Sequence, residues 1–234
     1  MKSNTCLKDE SILTLLALNN LIVPEIQREY VWGENKNVLE KFITDVKSHA
    51  KKCESCKRVH SNNINNIGFL YSYKPPYTEL EKGRYLDEFL IDGQQRITTI
   101  FLLLLSRAVK EHRIKDFLNI CRIHDDGYAE CFNYKVRTLT QDFMNCLVKH
   151  VIDNGDTSLD FLTGFLESNY ENDHKNKSTD RPSWILSDFE QDPTISSICK
   201  SLGIIIESFK DDESLYFDFL LENIHFWHFK TEET

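Results

Sequence analysis

The feature that most constrains this chain is a tight junction between an apolar strand and a very apolar helix. Residues 84–91 (RYLDEFLI) predict a strand, Asp-Gly follows as a sharp turn, and residues 94–112 have helical character throughout. Residues 97–105 are almost all apolar, so a helix here has no polar face to present to water. We therefore expect the first half of the helix to be buried on all sides. A further strand is predicted at residues 67–73, so the centre of the chain combines strands with a helix.

Shorter elements surround this junction. Residues 21–26 and 224–229 predict extended structure, and Asp192 followed by Pro193 predicts a helix start. Further helices are predicted over residues 9–20, 35–50, 143–152, 159–168 and 214–223. The pattern indicates an α+β fold, with a small mixed sheet and helices in residues 1–115 and a mostly helical region in residues 116–234.

Composition excludes several classes of protein. A hydrophobic fraction of 41% supports a folded core, yet no apolar run reaches the ~18–20 residues that a membrane span needs. The N-terminus lacks the apolar segment of a signal peptide. Seven scattered cysteines, an odd number, indicate reduced thiols rather than a disulfide framework. We therefore expect a cytoplasmic protein with no membrane partner.

The net charge of −9 is unevenly distributed. Residues 151–234 hold 6 Lys+Arg against 18 Asp+Glu, whereas the first 150 residues hold 22 against 19. Because acidic surface repels phosphate, a contact with nucleotide or nucleic acid is expected in the first part. The alternative is that the acidic part only keeps the protein in solution.

The loop between the central strand and helix carries the groups that a phosphate site needs. A helix N-terminus attracts anions, and Gly93 allows a ligand to approach the backbone. Arg96 offers a forked cation for phosphate oxygens, and Asp92 offers an oxygen for Mg²⁺ or for a proton. Gln94 and Gln95 can position a water molecule. The alternative is a capping box, with Asp92 as N-cap and Gln95 three residues later, which has no catalytic duty.

A second Gln-Arg pair stands near the N-terminus. Gln27 and Arg28 follow an extended segment, and Tyr30 and Trp32 alternate as on a strand, where their rings can stack on a base. The alternative is that both rings belong to the core. Because both Gln-Arg pairs follow apolar extended segments that can be neighbours in one sheet, we expect them to share one polar pocket.

Three segments, in this order, resemble the N-terminal domain family of GmrSD-type restriction endonucleases, which are type IV, modification-dependent enzymes. They are residues 22–32 (IVPEIQREYVW), 67–73 (IGFLYSY) and 89–109 (FLIDGQQRITTIFLLLLSRAV), and the resemblance covers residues 10–110. The family pattern contains Ile-Pro-x-x-Gln-Arg-x-Tyr-x-Trp and Ile-Asp-Gly-Gln-Gln-Arg-Leu-Thr-Thr. This chain departs from it in the order of residues 67–70 and in having Ile97 for leucine.

The resemblance implies a fold similar to ParB and sulfiredoxin, and an NTPase linked to prokaryotic DNA restriction and phage defence. By motif position, the catalytic residues are Asp92, Gln94, Gln95 and Arg96. The predicted nucleotide- and phosphate-binding residues are Gly93, Thr98, Thr99, Gln27, Arg28, Tyr30 and Trp32. The implied cofactor is Mg²⁺ with an NTP, and the implied partners are a purine nucleotide, DNA (modified in such systems), and a C-terminal nuclease domain or partner subunit. This chain has no His-Asn-His pattern of its own, so we expect the sensing and NTPase part without the nuclease.

Three further patterns bear on metal binding, DNA contact and the end of the chain. His49, Cys53, Cys56 and His60 share one helical face, but a straight helix cannot wrap four ligands around a tetrahedral zinc ion, so no zinc site is predicted. The basic stretch 47–58 is the best candidate for a contact with the DNA backbone, the alternative being a solvated face. Thr231 followed by two glutamates resembles a helix start, so we expect the helical region to be incomplete in this chain.

Two classes of function are therefore compatible with the sequence. The first is an NTP-binding and NTP-hydrolysing regulatory domain of a DNA restriction protein. The second is a nucleic-acid-binding module whose loop only grips phosphate. Hydrolysis requires Asp92 and a divalent ion, whereas gripping requires only the backbone and the arginines.

Overall fold

The computed structural model describes residues 4–24, 27–48, 64–74, 87–134, 137–154, 187–209 and 216–232. These residues contain a six-stranded mixed sheet with the strand order β1-β6-β3-β4-β2-β5. The strands are β1 (Asn4–Ser11), β2 (Asn20–Ile22), β3 (Asn65–Lys74), β4 (Asp87–Asp92), β5 (Phe132–Asn133) and β6 (Ile224–Glu232). The predicted α+β class is confirmed.

The described helices pack on one face of this sheet. They are α1 (Ile12–Leu18), α2 (Lys36–Ser48), α3 (Gln94–Lys110), α4 (Ile114–Ile120), α5 (Thr138–Asn154), α6 (Pro193–Ser208) and α7 (Phe217–Glu222). Short 3₁₀ turns lie at Trp32–Glu34 and Ser187–Gln191. The predicted start of α6 is confirmed, because Asp192 accepts a hydrogen bond from the amide of Ile195 at 2.9 Å and Pro193 is the first helical residue.

Strand β6 connects the two ends of the chain. It pairs antiparallel with β1 and parallel with β3, so it lies inside the sheet rather than at its edge. The buried residues form one hydrophobic cluster that runs from Ile12 in α1 to Phe226 in β6. The regions before and after residue 115 therefore share one sheet and one core.

Helix α3 is the central element of the core. Every residue from Gln94 to Val109 except Arg96 is buried, which confirms the prediction made from its apolar sequence. It packs against α4, α6 and α7, so each side of the helix finds apolar neighbours. Burial of one leucine stabilises the fold by about 1.5–3 kcal/mol, so this helix anchors the junction that precedes it.

The helix predicted over residues 9–20 is confirmed from Ile12 to Leu18, but its predicted start and the helix start predicted at Thr231 are wrong. Residues 9–11 belong to strand β1, and the first helix begins only at Ile12, where Ser11 accepts a hydrogen bond from the amide of Thr14. Thr231 lies in β6 and starts no helix. In both places pairing with a strand distant in sequence overrides a local helix signal.

A group of hydrogen-bonded polar side chains lies on the helix-covered face of the sheet. We call it the buried ionic cluster; its members are Glu10, Ser72, Glu88, His228 and Lys230. The His228 ring contacts Glu10 Oε2 at 2.7 Å through Nδ1 and Ser72 Oγ at 2.8 Å through Nε2. Ser72 in turn donates to Glu88 at 2.7 Å, and Lys230 donates to the same carboxylate at 3.1 Å.

The members of the cluster come from four strands, and carboxylates lie next to basic side chains within it. Ser72 donates to Glu88, and the two carboxylates of the cluster lie opposite the His228 ring and the Lys230 ammonium group. Burial by itself raises the pKa of Glu10, but the hydrogen bond from His228 and the charge of Lys230 outweigh it, so this pKa lies below its ordinary value. The cluster is thus a hydrogen-bonded part of the sheet in which carboxylates lie beside basic side chains.

Two whole-chain predictions concern helices and cysteines. None of the helices in the described ranges is long and apolar enough to cross a lipid bilayer. The cysteines that the structure describes are free thiols, namely Cys6, Cys121, Cys131, Cys146 and Cys199.

Candidate functional site

The two sequence motifs meet at the start of helix α3. Gln27, Arg28 and Trp32 come from the segment after β2, and the other lining residues are Asp92 to Arg96. Together they enclose an open pocket of about 230 Å³, which we call the junction pocket. The prediction that the two Gln-Arg pairs share one polar pocket is confirmed.

Two glutamines fasten the motifs to each other. Gln27 donates from Nε2 to the carbonyl of Ile91, at the end of β4, at 2.7 Å. Gln95 reaches in the opposite direction, where it donates to the carbonyl of Glu29 at 2.8 Å and accepts from the amide of Val31 at 2.9 Å. Each motif thus holds the backbone of the other, and we call this arrangement the glutamine clasp.

The N-terminus of α3 opens into the pocket without a side-chain cap. The N-cap residue is Gly93, with a φ of +97°, and the first helical hydrogen bond runs from Ile97 to its carbonyl. A Cβ at Gly93 would lie 2.6 Å from Leu70 Cδ1, so only glycine fits both the conformation and the space. The capping-box alternative is wrong, because Asp92 precedes the N-cap and the Gln95 side chain serves the clasp.

Asp92 and Arg96 form the charged rim of the pocket. Arg96 Nη2 lies 3.6 Å from Asp92 Oδ2, and Nη1 donates to the carbonyl of Ile67 at 3.3 Å. The Asp92 side chain is 63% exposed, whereas that of Arg96 is 23% exposed. The carboxylate is therefore accessible to a ligand, while the guanidinium is held close to strand β3.

The opposite rim carries an exposed cation, Arg28. This arginine makes no ion pair or hydrogen bond among the described residues. Trp32 beside it is half-buried, and its ring lies 5.0 Å from that of Phe42 in α2. Arg28 and the uncapped amides of α3 make this pocket attractive to an anion.

Gln94 is the least satisfied polar group of the site. It is 3% exposed, and among the described residues its amide atoms interact with the Tyr134 hydroxyl but make no hydrogen bond of good geometry. An unsatisfied buried amide costs about 1–3 kcal/mol, and such groups are few in folded proteins.

Three predicted ligand contacts lie outside the pocket. Tyr30, Thr98 and Thr99 are fully buried, so a ligand in the pocket does not reach them. The Tyr30 hydroxyl lies 2.9 Å from the hydroxyls of Thr99 and Ser201, and burial raises its pKa to about 12 despite these bonds. Thr98 contacts the Tyr134 hydroxyl at 2.8 Å. These side chains join α3 to neighbouring elements, and the core alternative for Tyr30 is correct.

Sequence reasoning missed two residues that shape the site. Arg137 donates to the carbonyl of Gln27 at 2.6 Å from 110 positions away, and no local motif signals it. Gly68 lies beneath Arg96, since a Cβ there would be 2.2 Å from Nη1. A glycine inside a predicted strand is a known signal of close approach, so Gly68 could have been found.

Several predicted features fall outside the described residues. This group contains residues 49–63, with His49, Cys53, Cys56 and His60, most of the basic stretch 47–58, and the helix predicted over residues 159–168. The described ranges themselves contain no group of three or more His, Cys, Asp or Glu side chains that could hold a metal ion.

The fold and the pocket together define an α+β domain with a polar strand-to-helix site built from two distant motifs. The sequence matches the family described as GmrSD restriction endonuclease, N-terminal domain, over residues 12–234, so the chain belongs to this family. Membership makes it part of a restriction or phage-defence protein and implies DNA and a nuclease domain as partners. A comparison with curated proteins gives no match.

Proposed function

We propose that this chain is the NTP-binding and NTP-hydrolysing regulatory domain of a DNA restriction protein, with the junction pocket as its active site. The observation that carries the proposal is the convergence of the two Gln-Arg motifs on the uncapped N-terminus of α3. Such a helix end binds phosphate through free backbone amides, and an arginine on each rim adds positive charge.

Each rim has a distinct role in this proposal. Arg28 is free to contact the phosphates of an incoming nucleotide, since no described group competes for it. Arg96 neutralises the charge that develops on the transferred phosphoryl group, and its contact with Ile67 holds it in place. Trp32 offers the exposed part of its ring to a base.

A magnesium ion fits the residues of the pocket. Mg²⁺ is commonly bound through one or two carboxylates together with the phosphates of the substrate, and the accessible carboxylate of Asp92 meets that need. When bound, the ion would polarise phosphate oxygens for attack by water. Asp92 can also accept a proton from that water.

The test is phosphate release from ATP and GTP with Mg²⁺, compared between the wild-type chain and Asp92→Ala. We expect the rate to fall by ~10²–10³-fold, because such electrostatic groups typically contribute that much. The thermal midpoint should stay near that of the wild type, since Asp92 neither caps the helix nor is buried. Arg96→Lys should also slow turnover, because an ammonium group lacks the planar fork.

The matched control is Asp153→Ala, which removes an exposed helical carboxylate far from the motifs in sequence. It should leave the rate unchanged. Unchanged turnover in Asp92→Ala would refute the catalytic assignment. Nucleotide binding that depends on Arg28 but shows no turnover would instead support the module that only grips phosphate.

A further inference from the structure

The face of the sheet opposite the helices carries a row of partly exposed aromatic residues. We call it the aromatic face; its members are Leu7, Phe69, Tyr71, Tyr73, Phe89, Ile91, Trp227 and Phe229. Among the described residues, the large apolar side chains that stay exposed include four from this face, with Leu7 at 52%, Ile91 at 50%, Phe69 at 45% and Trp227 at 40%.

Ring contacts make this face one continuous surface. The Tyr71 ring lies 5.3 Å from that of Phe229 and 5.9 Å from that of Phe69, and Tyr73 stacks on Phe89 at 5.5 Å. The strand register brings two further side chains next to these rings, because Leu7 is paired with Phe229 and Trp227 is paired with Phe69. Contiguous apolar surface of this kind marks an interaction site.

The charges on this face determine which partner fits. Its outward positions hold no lysine or arginine among the described strand residues. The carboxylates there are Asp9, which contacts His225 at 2.9 Å, Asp87, which accepts from Asn20 at 3.1 Å, and Asp92, which the strand register pairs with Tyr71 and which lies 3.6 Å from Arg96. Among the described strand residues, a nucleic acid finds no lysine or arginine for its phosphates on this face. An uncharged, aromatic surface suits this face, and such surfaces are typical of homodimer interfaces.

The dimensions of the face are also adequate for a dimer. The face is four strands wide at ~4.8 Å spacing and about seven residues long, which gives a flat area of roughly 450 Å². The side chains that project from the sheet add to this area. A standard interface buries about 800 Å² of accessible surface on each partner, which is of the same order. Two sheets can stack face to face about 10 Å apart, and a two-fold axis needs only one such surface.

We propose that the aromatic face is the contact between two copies of this chain in solution. With a net charge of −9, two copies repel each other over most approaches, whereas each described carboxylate of this face lies beside a partner group, Asp9 beside His225, Asp87 beside Asn20 and Asp92 beside Arg96. The two copies stack face to face across Trp227 and Leu7.

The test is sedimentation equilibrium of the chain from about 1 to 100 µM, a range that resolves micromolar dissociation constants. The wild type should dimerise, and Trp227→Glu and Leu7→Glu should each weaken dimerisation at least tenfold by placing carboxylates in the contact. The matched control is Leu18→Glu, which changes a 59% exposed leucine of α1 on the other side of the sheet and should dimerise like the wild type. Circular dichroism spectra and thermal midpoints check that each variant is folded.

Three results would overturn the proposal. The wild type could stay monomeric at the highest concentration. Folded Trp227→Glu and Leu7→Glu could both dimerise normally. Loss of dimerisation in Leu7→Glu alone would place the contact at the edge strand β1, because Trp227 lies on an interior strand.

Discussion

The junction pocket and the buried ionic cluster are both polar, yet they differ in how their hydrogen bonds are satisfied. In the cluster, Ser72, Glu88 and His228 are almost inaccessible, and carboxylates lie beside basic side chains. In the pocket, Arg28 has no partner among the described residues and the Gln94 amide makes no hydrogen bond of good geometry. Asp92 is mostly exposed.

This difference in hydrogen bonding indicates that the buried ionic cluster has a structural role and the junction pocket a role in binding. Polar groups that satisfy one another leave nothing for a ligand, and they stabilise one arrangement of strands. Groups left unpaired carry a free-energy penalty that a ligand can relieve. Loss of a cluster residue should therefore reduce stability, whereas loss of a pocket residue should reduce binding or turnover.

The largest effect is expected for Glu88→Ala in the buried ionic cluster. It leaves Glu10 as the only carboxylate of the cluster opposite Lys230 and His228 in a buried setting, and breaking such a pair costs about 3–5 kcal/mol. Urea unfolding measures the loss. The control is Glu40→Ala, which removes an exposed helical ion pair with Lys36 and should change stability by less than about 0.5 kcal/mol. Equal losses in the two variants would contradict the structural role of the cluster.

Leu103→Ala measures the loss of stability when a buried apolar side chain, rather than a buried charge, is removed. Leu103 is fully buried in α3, so its truncation should cost about 2–5 kcal/mol through lost transfer energy and a cavity. Leu18→Ala, at an exposed position, should cost little. A loss for Leu103→Ala below the low end of this range would mean that α3 is not the centre of the core.

A smaller effect on stability is expected for Gln95→Ala, which opens the glutamine clasp. The variant leaves the Val31 amide and the Glu29 carbonyl unpaired, at a cost of about 1–3 kcal/mol. Because Arg28 and Trp32 belong to the released segment, nucleotide should also bind more weakly, as measured by calorimetry. Gln95→Glu keeps an acceptor for Val31 but points a buried carboxylate at the Glu29 carbonyl, so it should lose at least as much stability as Gln95→Ala. A Gln95→Glu variant as stable as the wild type would contradict the clasp.

The smallest effect concerns the pH dependence of stability. The pKa of Glu10 lies below its ordinary value of 4.5 in the fold, so the unfolded chain takes up this proton first as the pH falls. The stabilisation is thus present above about pH 4.5 and is lost as the pH falls through the lower, folded-state pKa. Glu10→Gln should flatten the acid limb of urea midpoints measured between about pH 3 and 6. An unchanged slope would show that Glu10 is not held as a carboxylate.

Much of the site followed from local sequence. The apolar run 97–105 predicts a buried helix because no rotation of it presents a polar side to water. The strand before Asp92 and the glycine after it predict the turn into α3. Local pattern could not exclude Tyr30 from the ligand site, because an aromatic ring beside polar residues fits a core as well as a surface.

Sequence by itself determined helix α3 and the turn before it, since these depend on the periodicity and chemistry of neighbouring residues. Tertiary structure decided the rest. Glu10 and His228 meet across 218 positions, and Gln95 reaches Glu29 across 66, because strand pairing fixes which distant residues become neighbours. Whether a polar side chain is satisfied or left open to a ligand depends on those neighbours, and no local pattern records them.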